Sequence, residues 1–177
     1  TTIQLAMVRT AETDVVTFIT GTAVRVAEGK PKMRVVPNSG RINGFIMNMY
    51  KPPYDNKALR QAVAHTFDKK EVLDVYFEGR GLVTNNVVFP GSWMYDPNLV
   101  VYEYNVQKAK VKLAEAGFPS GVTIPLWCGS DAIEIRRCEI FQVQLQRANI
   151  NPELKVVLQS EYFPRLSFVR VLPHAGR

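Results

Sequence analysis

Residues 122–158 read VTIPLWCGSDAIEIRRCEIFQVQLQRANINPELKVVL, and the apolar period changes twice within them. Val122, Ile124 and Leu126 alternate up to Trp127, which places one apolar face on a strand. Asp131 is of the type whose short carboxylate caps helix amides, and Cys138, Phe141, Leu145 and Ala148 then recur at helical spacing. Leu154, Val156 and Leu158 return to alternation. A strand, a long helix and a second strand follow from these periods.

Upstream the same logic predicts a helix from Val106 to Ala116, with Val106, Ala109, Leu113 and Ala116 on one stripe. Gly117 stands where a left-handed cap belongs. Another helix follows Pro52-Pro53, capped by Asp55 or Asn56, with Leu59, Ala62, Val63 and Phe67 inward. Asp68 with Glu71 resembles a capping box, opening a short helix with Val72, Val75 and Tyr76, which Gly79 and Gly81 terminate. Alternation in Phe45 to Tyr50 predicts a largely buried strand, and Met33 to Val36 and Val15-Val16 predict shorter ones. Helices are expected at Thr1 to Glu12 and Ala23 to Glu28, and a turn at Asn38-Ser39-Gly40. The alternation gives an α/β (α+β) fold with a mixed sheet flanked by helices. Leu82 to Tyr104 mixes turn formers with aromatics and is expected to be a long ordered loop, stapled by Trp93 and Tyr95 or offering them to a cleft.

At 177 residues the chain is the length of one domain, and its 46% apolar and 21% charged content excludes disordered, collagenous and disulfide-scaffold classes. Lys plus Arg exceed Asp plus Glu by 22 − 16 = 6. The densest positive stretch, Lys108, Lys110 and Lys112, alternates with apolar residues on a helix, and no stacking module accompanies it. No nucleic-acid partner is therefore expected. The longest uncharged stretches, Gly81 to Tyr95 and Ala116 to Ser130, are broken by Gly, Pro or Asn and fall short of a spanning helix. Opening at Thr1 without a charged and then apolar leader is expected of a processed product or an internal fragment. Cys128 and Cys138 lack a second pair for a metal site, and buried thiols are expected, with a disulfide as the alternative.

The only imidazoles are His65 and His174, and neither has a nucleophile placed beside it by any motif. Gly79-Arg80-Gly81 follows a helix rather than a strand, so it reads as a cap and not a phosphate loop. An enzyme is not expected, nor is a metal or other cofactor.

Several segments come in a telling order: Met47-Asn48-Met49, then Lys51-Pro52-Pro53-Tyr54-Asp55-Asn56, Leu59-Arg60-Gln61-Ala62-Val63 and Phe67-Asp68-Lys69-Lys70. Gly79-Arg80-Gly81, Pro90-Gly91-Ser92-Trp93-Met94-Tyr95-Asp96, Tyr104-Asn105 and Leu113-Ala114-Glu115-Ala116-Gly117 follow, and Leu5-Ala6-Met7 to Asp14-Val15-Val16 precede them. This succession, over residues 1–166, resembles the extracytoplasmic solute-binding proteins of peptide and nickel ABC transporters, called family 5. The resemblance implies one lobe, the second, of a two-lobed periplasmic-binding-protein-like type II clamp, with residues 167–177 as a divergent or truncated tail. It also implies a small-molecule or peptide solute held between lobes, an ABC transporter permease as partner, and a place outside the cytoplasmic membrane, peripheral to it. Asn48, Pro53, Arg60 and Asp68 are then structural motif residues, with Arg60 set to meet a carboxylate or loop carbonyls.

Peptide-binding members of that family carry an Arg after the strand that resembles Val122 to Trp127, and an acidic group near a later Gly-Trp. Here the loop reads Cys128-Gly129-Ser130-Asp131, with no Arg before Arg136 and no Gly-Trp. Loops at strand ends line crevices in open α/β sheets, so Trp127, Gly129, Ser130 and Asp131 are the candidate ligand residues. Equally, Asp131 can be a helix cap and Trp127 a core residue. The rival function is a stand-alone interaction module using the basic surface.

Overall fold

The computed structural model describes residues 2–17, 22–28, 30–36, 44–158 and 160–161. Its elements are α1 (Thr2–Arg9), α2 (Thr22–Glu28), α3 (Lys57–Thr66), α4 (Lys69–Tyr76), α5 (Val106–Glu115), β1 (Val122–Gly129), α6 (Ala132–Gln146) and β2 (Ile150–Val157). Where length suggests one compact domain, the chain forms two compact units, Thr1–Asn43 with Lys69–Val100 and Gly44–Asp68 with Val101–Arg177. Asn38-Ser39-Gly40, His174 and the 167–177 tail lie outside the described residues.

The second unit holds the main core. Asn56 resolves the choice of cap: its Oδ1 accepts from the Ala58 and Leu59 amides at 2.9 and 3.2 Å, starting α3. Leu59, Ala62, Val63 and Thr66 form its buried face. Asn105 caps α5 through the Lys108 amide at 2.9 Å, and Ala109 and Leu113 are its buried residues. Gly117 closes α5 at φ 91°, where any Cβ is strained. With Tyr54, Ala116, Ile124, Leu145 and Ile150, Leu59, Ala62 and Val63 of α3 and Leu113 of α5 make one cluster.

β1 and β2 run parallel, Val122 opposite Ile150 and Gly129 opposite Val157. α6 is the crossover that a parallel pair requires. Among the described residues the sheet is this parallel pair. Ile124, Leu126 and Cys128 are buried on one face of β1, while Thr123 and Trp127 are exposed on the other. At the start of the sheet, a Cβ on Gly121 would stand 2.7 Å from the Asn149 carbonyl oxygen, so only Gly lets the chain enter β1 there.

Phe45 to Tyr50 is not the buried strand that its alternation suggested. It is irregular, with Phe45 and Met47 half-buried against the core and Met49 exposed. Met33 to Val36 and Val15-Val16 likewise form no strand, and Val15 is 74% exposed. Alternation fixes side-chain faces, but a strand also needs a neighbour for its backbone groups, and the described residues supply none here.

The first unit is lighter. Among its described residues only Leu5, Val24 and Ala27 are buried, and α4 has no buried residue. Ion pairs tie α2 to the turn after α4: Arg80 donates to both Glu28 carboxylate oxygens at 2.8 and 2.7 Å, and Arg25 meets Glu78 at 3.0 Å. Gly79, at φ 74°, donates its amide to Leu73 at 2.9 Å, so Gly79-Arg80-Gly81 is a helix cap that carries an ion-pairing Arg. The 82–100 loop is not stapled by Trp93, which is 91% exposed. Asn86 does that work, donating to the Asp96 carbonyl at 2.8 Å and accepting the Asp96 amide at 3.1 Å.

Candidate functional site

Trp127, Gly129, Ser130 and Asp131 come together at the C-terminal end of β1, where the strand gives way to α6. Their neighbourhood follows from the strand's alternation. Cys128 points inward, so Trp127 points outward, where the parallel register sets Lys155 of β2 opposite it. The Lys155 ammonium lies 5.5 Å from the centroid of the Trp127 ring, a cation–π distance. Trp127 is 38% exposed and so is no core residue. Gly129 is buried, Ser130 exposed and Asp131 half-buried.

Asp131 is the cap of α6, its Oδ1 accepting the Glu134 amide at 2.8 Å. Glu134 and Arg137 pair one turn further on, while Arg136 is exposed. What the strand end offers is therefore an indole face with a cation over it, an exposed hydroxyl and a capped helix N-terminus. Among the described residues no cluster of His, Cys, Asp and Glu could hold a metal.

Cys128 and Cys138 are joined in a disulfide with Cα atoms 6.4 Å apart, correcting the expectation of buried thiols. Both cysteines are buried beside Leu126, with Phe45, Phe141 and Leu154 against them. The periods already held this pairing, since Cys128 shares the inward face of β1 and Cys138 the inward stripe of α6. Lys155 was missed for a different reason: only the register of β2 brings it to Trp127.

The motif residues stand apart from the strand end, most of them in or against the turn before α3. Arg60 donates from Nη1 to the Tyr54 and Asp55 carbonyls at 2.8 and 2.9 Å, so it meets loop carbonyls and not a carboxylate. Asn48 accepts the Tyr50 amide at 3.1 Å, and the Pro53 carbonyl accepts from Asn56 at 3.4 Å. These contacts shape the turn that presents Tyr54, whose hydroxyl donates to the Pro125 carbonyl of β1 at 3.0 Å. Burial pushes the Tyr54 phenol up to about 12. Asp68 is used through its carbonyl, which accepts from Gln144 Nε2 at 3.1 Å.

His65 is satisfied, its Nδ1 lying 2.8 Å from the Glu103 carbonyl and its ring edge-on to Tyr102. It lines a shallow depression of about 280 Å³ with Asn105, Gln107, Lys108, Val111 and Lys112, and none of the four candidate residues borders it. Among the described residues no helix is long and apolar enough to cross a membrane.

Residues 1–168 match the model of bacterial extracellular solute-binding proteins, family 5 Middle. Heme-binding protein A of Haemophilus influenzae is 35% identical over 98 residues, 55% of this chain and 18% of that protein. The dipeptide-binding protein of Escherichia coli is 27% identical over 127 residues, covering 67% of this chain and 23% of its own length. The chain thus spans about a fifth of the curated relatives it matches. In fold it is similar to the ABC transporter-associated periplasmic binding protein DppA from Helicobacter pylori in complex with a peptide. That likeness has a TM-score of 0.76 at 24% identity and covers 93% of this chain and 32% of that one.

Proposed function

Because this chain belongs to the bacterial extracellular solute-binding proteins of family 5, we propose that it is part of the substrate-binding component of an ABC importer. In this reading residues 1–166 form one lobe of a clamp that closes on a peptide or similar small solute and hands it to a membrane permease. The protein works in the periplasm or an equivalent extracytoplasmic space, peripheral to the membrane, without enzymatic activity and without nucleic acid. The family match over residues 1–168 carries the proposal. Two features support it. An exposed loop at the C-terminal end of a parallel strand is where open α/β sheets take ligands. A disulfide belongs to an oxidising compartment.

Trp127, Gly129, Ser130 and Asp131 are proposed to face the solute, Trp127 and Ser130 through side chains and Gly129 through its backbone. Asp131 acts by holding the amides of α6 in place. With Arg136 the first arginine beyond the strand, Lys155 is the cation closest to Trp127 that the register provides.

Native mass spectrometry of the whole protein taken from its source tests the reading, followed by calorimetry with dialanine and trialanine. A retained small solute, or saturable binding of either peptide, is expected. Binding that appears only with polyanions, and that fades steeply with salt, would overturn it in favour of an interaction module.

A further inference from the structure

We propose that the Cys128–Cys138 disulfide is the positioning element of the strand-end loop, locking the first two turns of α6 onto the end of β1. The role assigned to the loop rests on the solute-binding reading above; the lock itself rests on the packing.

The core of the second unit is uneven. Nine buried residues share the main cluster, around Leu59, Leu113, Ile124, Leu145 and Ile150, whereas the cluster at the loop end has three, two of them the bonded cysteines. α6 enters the main cluster through Leu145, in its last turn, and its first turn has no buried side chain. Ala132 and Ile133 are exposed, and Asp131 and Glu134 are half-buried. With so little apolar burial, the N-terminal half of α6 would sit at the low end of local stability. The side-chain cap at Asp131 satisfies the Glu134 amide within the helix. The disulfide ties helix to sheet, since Cys128 is the penultimate residue of β1 and Cys138 stands in the second turn of α6.

The covalent link encloses Gly129, Ser130 and Asp131 in its ring, so the residues offered to solute are held at both ends before any solute arrives. Ordering them in advance removes that cost from binding. Both sulfurs are buried in the native fold, which shields the link from casual reduction.

The test compares the whole protein as wild type, as Cys128→Ala/Cys138→Ala, and as wild type reduced with dithiothreitol. In the last, two electrons and two protons convert the bond into two thiols while the reagent closes to its cyclic disulfide. Hydrogen exchange of residues 129–137 is expected to quicken about tenfold or more in the variant and the reduced protein, with the α3 and α5 amides unchanged. Reoxidation with oxidised glutathione is expected to restore slow exchange, a reversal that general destabilisation would not confine to these residues. Dialanine or trialanine affinity is expected to fall about tenfold on reduction and to recover with the bond. Unchanged exchange at 129–137, or faster exchange spread equally over α3 and α5, would overturn the lock. Quickened exchange with unaltered peptide affinity would overturn its role toward solute. If the wild type binds neither peptide, the solute reading fails by itself and exchange alone decides the lock.

Discussion

The Asn56 side-chain amide donates to the Ala116 carbonyl at 3.0 Å, so the residue that starts α3 also satisfies the end of α5. One side chain thus joins two helices through residues sixty apart in sequence. Asn56→Ala removes the cap and the link together, and a loss of about 1–3 kcal/mol is expected in urea unfolding. Asn56→Asp keeps the acceptor and loses the donor, so its loss should be smaller. An equal loss in both would show that the link to Ala116 dominates.

Tyr54 ties the proline turn to β1. Tyr54→Phe removes the hydroxyl that donates to Pro125 and should cost about 1 kcal/mol. The phenol is raised above its ordinary 10 to about 12 by burial, so the unfolded chain ionises first. Stability is therefore unaffected by this group below pH 10 and falls as pH climbs toward 12. Ultraviolet titration of tyrosinate should show a late-ionising component that Tyr54→Phe removes.

Glu28 titrates in the opposite sense. Its hydrogen bonds from Arg80, aided by that residue's charge, outweigh desolvation and hold the carboxyl below its ordinary 4.5. The stabilisation is present above that ordinary value and is lost as pH falls through the lowered one. Proteolysis near α2 should quicken in that acid range, and Glu28→Gln should make it fast and flat with pH. Protection of α2 that persists in acid would show the pair to be idle.

Exposed Trp93 and half-buried Asn86 make a second contrast. Trp93→Ala should change stability by less than about 0.5 kcal/mol, since a surface side chain loses little on truncation. Asn86→Ala breaks both bonds to Asp96 and should raise hydrogen exchange across the 82–100 loop. Loop exchange that rises in Trp93→Ala but not in Asn86→Ala would restore the aromatic staple.

At the strand end, Ser130→Ala is expected to leave stability within about 0.5 kcal/mol while weakening solute binding. Asp131→Ala should instead cost about 0.5–2 kcal/mol through the lost cap. Calorimetry beside thermal unfolding separates the two. Unaltered binding in both variants would remove the loop from the solute site.

Legibility in the sequence followed how local the deciding physics was. α3, α5 and α6 were readable because period and cap sit within a few residues: Leu59 to Val63 after Asn56, Ala109 to Leu113 before Gly117, Cys138 to Leu145 after Asp131. β1 was readable because its alternation ends in a helix cap. Phe45 to Tyr50 alternates equally well, yet strandhood depends on a partner that no local pattern reveals. The candidate loop was visible as a strand end. The cation over Trp127 was not, because it arrives by the register of a strand twenty-eight residues away. The disulfide was within reach, since two inward stripes carried one cysteine each.

The interleaving of the two units shapes how the chain is made. Each unit is assembled from two separate stretches, one on either side of a stretch given to the other. No single cut in the gene releases either of them whole. On the ribosome α3 emerges about forty residues before α5, the helix it packs against, and still longer before β1 and β2. Its apolar face must wait in the open while the second stretch of the first unit is synthesised. A chaperone that shields residues 57–66 during that interval, or a pause that prolongs it, would therefore act on yield without touching the finished fold.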